Sequence, residues 1–114
     1  LPRGIDYAQA DENSIARIGT GDNAVDVDVA VLDTGVGPND DLNIQAGGKN
    51  CINAATNPSA ADDHGHGTHV AGTIGAIDDD DGVVGMAPGA RIWPVKILNS
   101  AGSGTYASLL CGIN

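Results

Sequence analysis

Basic residues are scarce in this chain: five Lys and Arg stand against fifteen Asp and Glu, a formal net charge of −10. Nucleic acids and anionic membrane surfaces are bound through basic patches, so neither is an expected partner. All the acidic residues except Glu12 are aspartate. Such a field fits divalent-cation binding, a salty habitat or plain solubility, and composition does not choose among these. Long apolar runs are also lacking; none approaches the roughly 20 residues that cross a bilayer. Cysteine is limited to Cys51 and Cys111, far apart in sequence and without metal-binding spacing. They are either free buried thiols or one disulfide, and a disulfide would be consistent with secretion. Internal repeats and low-complexity linkers are missing too.

With 114 residues the chain makes at most one domain, and a chain of that size buries only about two thirds of its unfolded surface. Leu1 is not an initiator methionine, and the first residues lack the basic-then-apolar pattern of a signal peptide. Residues 106–114 begin a helical pattern, with Leu109, Leu110 and Ile113 apolar, and no Gly cap or Pro stop follows. The expectation is that residues 1–114 are the N-terminal part of a larger soluble catalytic domain. On that reading the sheet is unfinished, and the 114 residues alone fold poorly.

Residues 1–24 are polar and irregular, with a short helix expected around residues 11–18. From Val25 the pattern becomes Val-Asp-Val-Asp-Val-Ala-Val-Leu and ends at Asp33. Alternation followed by a continuous apolar run suits a strand that enters a sheet and becomes buried on both faces. Residues 39–63 read as loop, with a short strand around residues 42–45. Residues 66–77 read as a helix, although Gly67, Gly72, Gly75 and the β-branched Thr68, Val70, Thr73 and Ile74 have poor propensity. Such a helix makes sense when buried, with Val70, Ile74 and Ile77 on one face and small residues allowing close approach. A second strand is expected over residues 91–98, weakened by Pro94, which has no ladder donor. Strand, helix, strand, helix in succession gives an α/β fold with a mainly parallel sheet.

The chemistry-bearing segments are Asp33-Thr34-Gly35 and His66-Gly67-Thr68-His69-Val70-Ala71-Gly72-Thr73. A serine hydroxyl is a weak nucleophile near neutral pH and needs a base within hydrogen-bond reach. Histidine suits that task, and general-base help contributes on the order of 10²–10⁴ in rate. The base needs an orienting acceptor that holds one tautomer and stabilises the imidazolium as it forms. At the first turn of a helix His66 would meet the positive end of the dipole, which disfavours imidazolium. A buried carboxylate at the end of the Asp33 strand would oppose that effect, and Gly67 would give room beside the imidazole.

Val29-Ala30-Val31-Leu32-Asp33-Thr34-Gly35-Val36 and the His66 to Thr73 run closely resemble the aspartate and histidine motifs of the subtilisin-like serine proteases, the subtilases. The stretch from Gly82 to Pro88, then Val95-Lys96-Ile97-Leu98 and Gly102-Ser103-Gly104, resembles the same family in the same order. The resemblance implies a subtilisin-like three-layer α/β fold with a mainly parallel sheet, of which only the N-terminal portion is present. It also implies a secreted endopeptidase acting on polypeptides through an acyl-enzyme, monomeric as the full-length enzyme. Matching positions make Asp33 the orienting carboxylate and His66 the general acid/base, and leave His69 without a catalytic role. Gly102, Ser103 and Gly104 would pair with substrate backbone by β-augmentation. Leu98 would line the pocket next to His66, and Tyr106 and Leu109 would border a more distant apolar subsite. Many subtilases hold calcium in the loop that corresponds to residues 78–81. Carried over, the ligands would be the Asp41 and Asp79 side chains and the Ile77, Asp81 and Val83 carbonyls, with a structural role and no organic cofactor.

Three other readings compete. His64, His66 and His69 offer a three-histidine zinc cluster, although Thr68 stands where metallo-hydrolases of the β-lactamase type need a carboxylate. Asp33-Thr34-Gly35 after an apolar strand also resembles retroviral-type aspartic proteases, but Val36 replaces the small residue expected there and the histidine motif goes unexplained. The third reading is that the chain is a truncated, catalytically inactive relative that binds peptides or a complementing chain. Its serines are Ser14, Ser59, Ser100, Ser103 and Ser108, and none lies in the Gly-Thr-Ser-x-Ala context of the family nucleophile.

Overall fold

The computed structural model describes residues 1–20, 24–79 and 83–114. Its elements run α1 (Arg3–Tyr7), β1 (Asp28–Asp33), β2 (Asn43–Ile44), β3 (Lys49–Asn50), α2 (His66–Gly75), β4 (Arg91–Lys96) and α3 (Tyr106–Ile113). The expected mixed α/β architecture with a parallel sheet is present. β4 is central: β1 pairs with it on one side, from Asp28 opposite Arg91 to Asp33 opposite Lys96. The short β2 and β3 lie end to end along its other side, also parallel.

Pro94 is accommodated in this central strand for a specific reason. The even-numbered residues of β4 address β2 and β3, since Ile92 O accepts from Gln45 N and Lys96 O accepts from Cys51 N. The donor that proline lacks therefore falls in the gap between β2 and β3. There Gly47 has φ +104°, and Gly48 approaches so closely that a Cβ would lie 2.6 Å from Pro94 O. The strand edge breaks where no ladder bond is on offer.

Side-chain alternation separates two faces. Val31 and Ile92 join Val36, Leu42, Ala71 and Ala76 in one buried core beneath α2. Leu32, Val95 and Ile97 turn the other way, toward Gly112 of α3. The face that α2 buries differs from the one expected. Gly67, Ala71 and Gly75, spaced by four, are the buried positions, while Val70 and Ile74 flank the core half-buried. Small residues thus form the contact itself, and the larger ones seal its margin.

The helix expected around residues 11–18 is absent. Asn13 Oδ1 accepts from the N–H groups of Ile15 and Ala16 at 2.8 and 3.0 Å, offering the backbone a turn in place of a helix. Arg17 adopts φ +51°. The N-terminal helix is α1 instead, anchored by the buried Ile5. Cys51 and Cys111 form a disulfide, which decides between the two readings of the cysteines. Among the described residues no helix is long and apolar enough to cross a membrane.

Candidate active site

β1 delivers Asp33 to the C-terminal end of a parallel strand, the position where open α/β sheets place their ligands. α2 begins beside it. His66 Nδ1 lies 2.8 Å from Asp33 Oδ1 and 2.9 Å from Oδ2. The Asp33 side chain is 11% exposed and the His66 side chain 60%, so the carboxylate is sheltered while the imidazole faces solvent. Thr34 N–H donates to Asp33 Oδ1 at 2.7 Å. A carboxylate that accepts from Nδ1–H fixes the tautomer and leaves Nε2 as an acceptor toward solvent, which is the arrangement a general base requires.

The approach is made possible by glycine. A Cβ on Gly67 would overlap Gly35 O and lie 3.2 Å from Asp33 Cβ. Gly67 is therefore the point where the helix presses on the turn after β1. Gly35 itself has φ +102°, and a Cβ there would strike the backbone of Ala60 and Ala61.

Helix α2 starts on Gly65 at φ +110° with no capping side chain of its own, so its first N–H groups need other partners. They are all satisfied. His66 N donates to His64 Nδ1 at 3.3 Å, Gly67 N to Thr34 Oγ1 at 2.9 Å and Thr68 N to Asp62 Oδ2 at 3.0 Å. Asp62 Oδ1 also accepts from the N–H groups of His64 and Gly65, each at 2.9 Å. Burial pushes the Asp62 carboxyl up. The bonds from Gly65 N–H, the Thr68 hydroxyl, His64 N–H and the Thr34 hydroxyl more than offset it, leaving Asp62 well below the usual carboxylate range. Sequence reasoning missed Asp62. Its signal was an aspartate shortly before a helix whose cap position is glycine.

Leu98, Gly104, Tyr106 and Leu109 line one hollow beside α3. Gly102 (φ +77°), Ser103 and Gly104 lie outside the sheet, in a loop closed by Asn99, whose N–H donates to Ser103 O at 2.8 Å. A Cβ on Gly102 would lie 3.2 Å from His64 Nε2. His64, whose ring centroid is 6.4 Å from that of His66, thus lies near both His66 and this loop. Ser108 is buried and donates to Ile97 O at 2.8 Å while completing a capping box with Thr105. It is a structural serine.

The three histidines do not form a metal cluster: His66 Nδ1 is committed to Asp33, and among the described residues no three His, Cys, Asp or Glu side chains could hold an ion. Of the positions expected to bind calcium, Asp41 and Ile77 are adjacent, with Ile77 N donating to Asp41 O at 2.9 Å. Val83 lines one hollow with Asp41 and a neighbouring hollow with Asp79. Asp81 lies outside the described residues. The donor set consists of oxygen alone, which suits a hard cation, and it leans on carbonyls more than on carboxylates. The same acidic segment contributes Asp78, which is buried and accepts from Gly19 N at 2.8 Å.

The site is thus a carboxylate-bound histidine at the C-terminal end of a parallel strand. The sequence pattern of the subtilase family matches residues 25–114, and the chain belongs to that family of serine peptidases. It is 48% identical to subtilisin Savinase of Lederbergia lenta over 87 residues, covering 76% of this chain and 31% of that protein. Subtilisin DY of Bacillus licheniformis is 38% identical over 114 residues, covering 99% of this chain and 39% of its own length. The minor extracellular protease Epr of Bacillus subtilis (strain 168) is 49% identical over 88 residues, 77% of this chain and 13% of Epr. The chain thus spans well under half of each of these relatives.

Proposed function

We propose that this chain carries the general acid/base, His66, and the orienting carboxylate, Asp33, of a secreted serine endopeptidase whose nucleophile comes from sequence outside these 114 residues. The observation that supports this best is the double approach of the Asp33 carboxylate to His66 Nδ1, at 2.8 and 2.9 Å. In the proposed reaction the serine Oγ attacks the scissile carbonyl and its proton passes to His66 Nε2. His66 then gives that proton to the leaving amine, and the acyl-enzyme remains. Water attacks the acyl group with the same proton transfers in reverse order, releasing the acid and restoring the serine. Asp33 holds the imidazole throughout and stabilises its cationic form. Substrate backbone would lie along Gly102, Ser103 and Gly104, with apolar side chains in the hollow of Leu98, Tyr106 and Leu109. Secretion is supported by the disulfide and by the extracellular relative. We further propose calcium as a structural ion at Asp41, Ile77, Asp79, Asp81 and Val83, holding the acidic loop.

A fluorophosphonate probe tests the reading on the intact protein. Covalent labelling of a serine, blocked by prior peptide chloromethyl ketone, is the expected result. The second reading, a chain that binds peptides without cutting them, rests on the structural commitment of Ser108 and of Ser103, whose N–H donates to Asn99 Oδ1 at 3.1 Å. Peptide binding with no labelling would favour it.

A further inference from the structure

Asp62 touches neither reacting atom, yet it is bonded to both segments that carry the pair. Its Oδ1 accepts from the Thr34 hydroxyl at 2.7 Å, and its Oδ2 accepts from the Thr68 hydroxyl at 2.6 Å. Thr34 is fully buried and follows Asp33 directly. Having donated to Asp62, its hydroxyl accepts from the N–H of Gly67, the residue after His66, at 2.9 Å. The Thr68 hydroxyl likewise accepts from Gly37 N at 2.9 Å. The result is a closed circuit: from the turn after β1, through Asp62, to the first turn of α2, and back through Gly67 to Thr34. Each hydroxyl spends its single proton on the carboxylate and offers its lone pair across the gap. From the sheet side, Lys96 Nζ donates to Thr34 O and to Asp63 Oδ1, both at 2.6 Å, so the turn is fixed from beneath as well.

We propose that Asp62 is a positioning residue that, acting through Thr34, sets the distance and orientation of the His66 imidazole against the Asp33 carboxylate. No backbone ladder joins β1 to α2, so the alignment of the two side chains depends on groups that bridge the turn and the helix. The Asp62 carboxylate and the Thr34 hydroxyl do so. The functional consequence rests on the protease reading above; the geometric one does not. The competing account is that Asp62 is only a helix cap, which would affect folding and leave the turnover of folded protein unchanged.

The test compares wild type, Asp62→Asn, Thr34→Val and Thr34→Ser in the intact protein. Turnover of a peptide substrate and the low-field proton resonance of His66 Nδ1–H are measured well below each variant's Tm. Misplacement of a catalytic group by about 1 Å costs on the order of 10²-fold. The expected result is a fall in kcat of about 10- to 100-fold for Asp62→Asn and Thr34→Val, with KM within about twofold, and loss of the resonance. Thr34→Ser, which keeps the hydroxyl, should restore both. Should Asp62→Asn not fold, the Val and Ser variants of Thr34 decide. Folded variants with wild-type kcat and an unchanged resonance would overturn the proposal. If the wild-type protein cleaves no peptide, the protease reading fails by itself. The resonance then judges the positioning role alone: retained in Thr34→Val it refutes it, lost there and regained in Thr34→Ser it supports it.

Discussion

Asp62 shows how one side chain can determine the behaviour of the residues around it. Its carboxylate accepts from three backbone N–H groups and two hydroxyls, and these bonds hold it ionised well into acid. Its folded pKa is below its ordinary value of 3.8. Its contribution to stability is therefore complete above about pH 4 and is lost as pH falls further, toward and through the folded value. A plot of Tm against pH should drop steeply below about pH 4 in wild type and be flatter over the same range in Asp62→Asn. Parallel curves would show that other carboxylates dominate acid unfolding. At this scale Asp33 and His66 were legible in the sequence because each sits inside a local motif. Asp62 was not, because its partner Thr34 lies 28 residues away and a folded turn is needed to bring them together.

Among the elements, α2 and β4 illustrate opposite ways in which propensity misleads. The glycines that argue against α2 as a helix are what let it reach the sheet, at Gly67 against Gly35 O and at Gly75 against Ile92 Cδ1. The proline that argues against β4 falls opposite a break in its neighbour. Period and apolar content revealed both elements, but neither could show that the buried stripe of α2 is made of its smallest residues. β2 falls inside the short strand expected around residues 42–45, whereas β3, also only two residues long, had no signal in the sequence. α3 depends on a covalent tie: Leu110 and Ile113 are largely exposed, and the helix is held by close approach at Gly112, by Lys49 Nζ on Cys111 O at 2.9 Å and by the disulfide. The bridge spans a sequence separation of 60, for which loop-closure entropy gives about 4 kcal/mol. Reduction under native conditions, or Cys111→Ser, should lower Tm by more than about 10 °C. A shift within about 2 °C would show that the noncovalent contacts of α3 suffice.

For the molecule as a whole, the charge of −10 fits the calcium proposed at the acidic loop and plain solubility equally. If calcium is held as proposed, at a concentration 100-fold above its Kd it stabilises by about 2.7 kcal/mol. Chelation at constant ionic strength should then lower Tm by about 5–10 °C, reversed by calcium and not by sodium. An unchanged Tm would remove calcium from the account and leave charge screening as the function of the aspartates. The composition disclosed the polarity of the surface, and the motifs disclosed the sheet that carries Asp33. Neither disclosed the disulfide or the hydrogen-bonded circuit of Asp62 and Thr34, since both depend on distances between remote residues. The proposed function requires His66 as the acid/base of a serine peptidase. The most direct test is the rate of peptide hydrolysis by the intact protein with His66→Ala, beside His69→Ala as a folding control. The expected result is a loss of at least about 10⁴-fold in kcat for His66→Ala, the scale seen when a triad member is removed, and a near wild-type rate for folded His69→Ala. Hydrolysis at the wild-type rate by His66→Ala would contradict the proposed function.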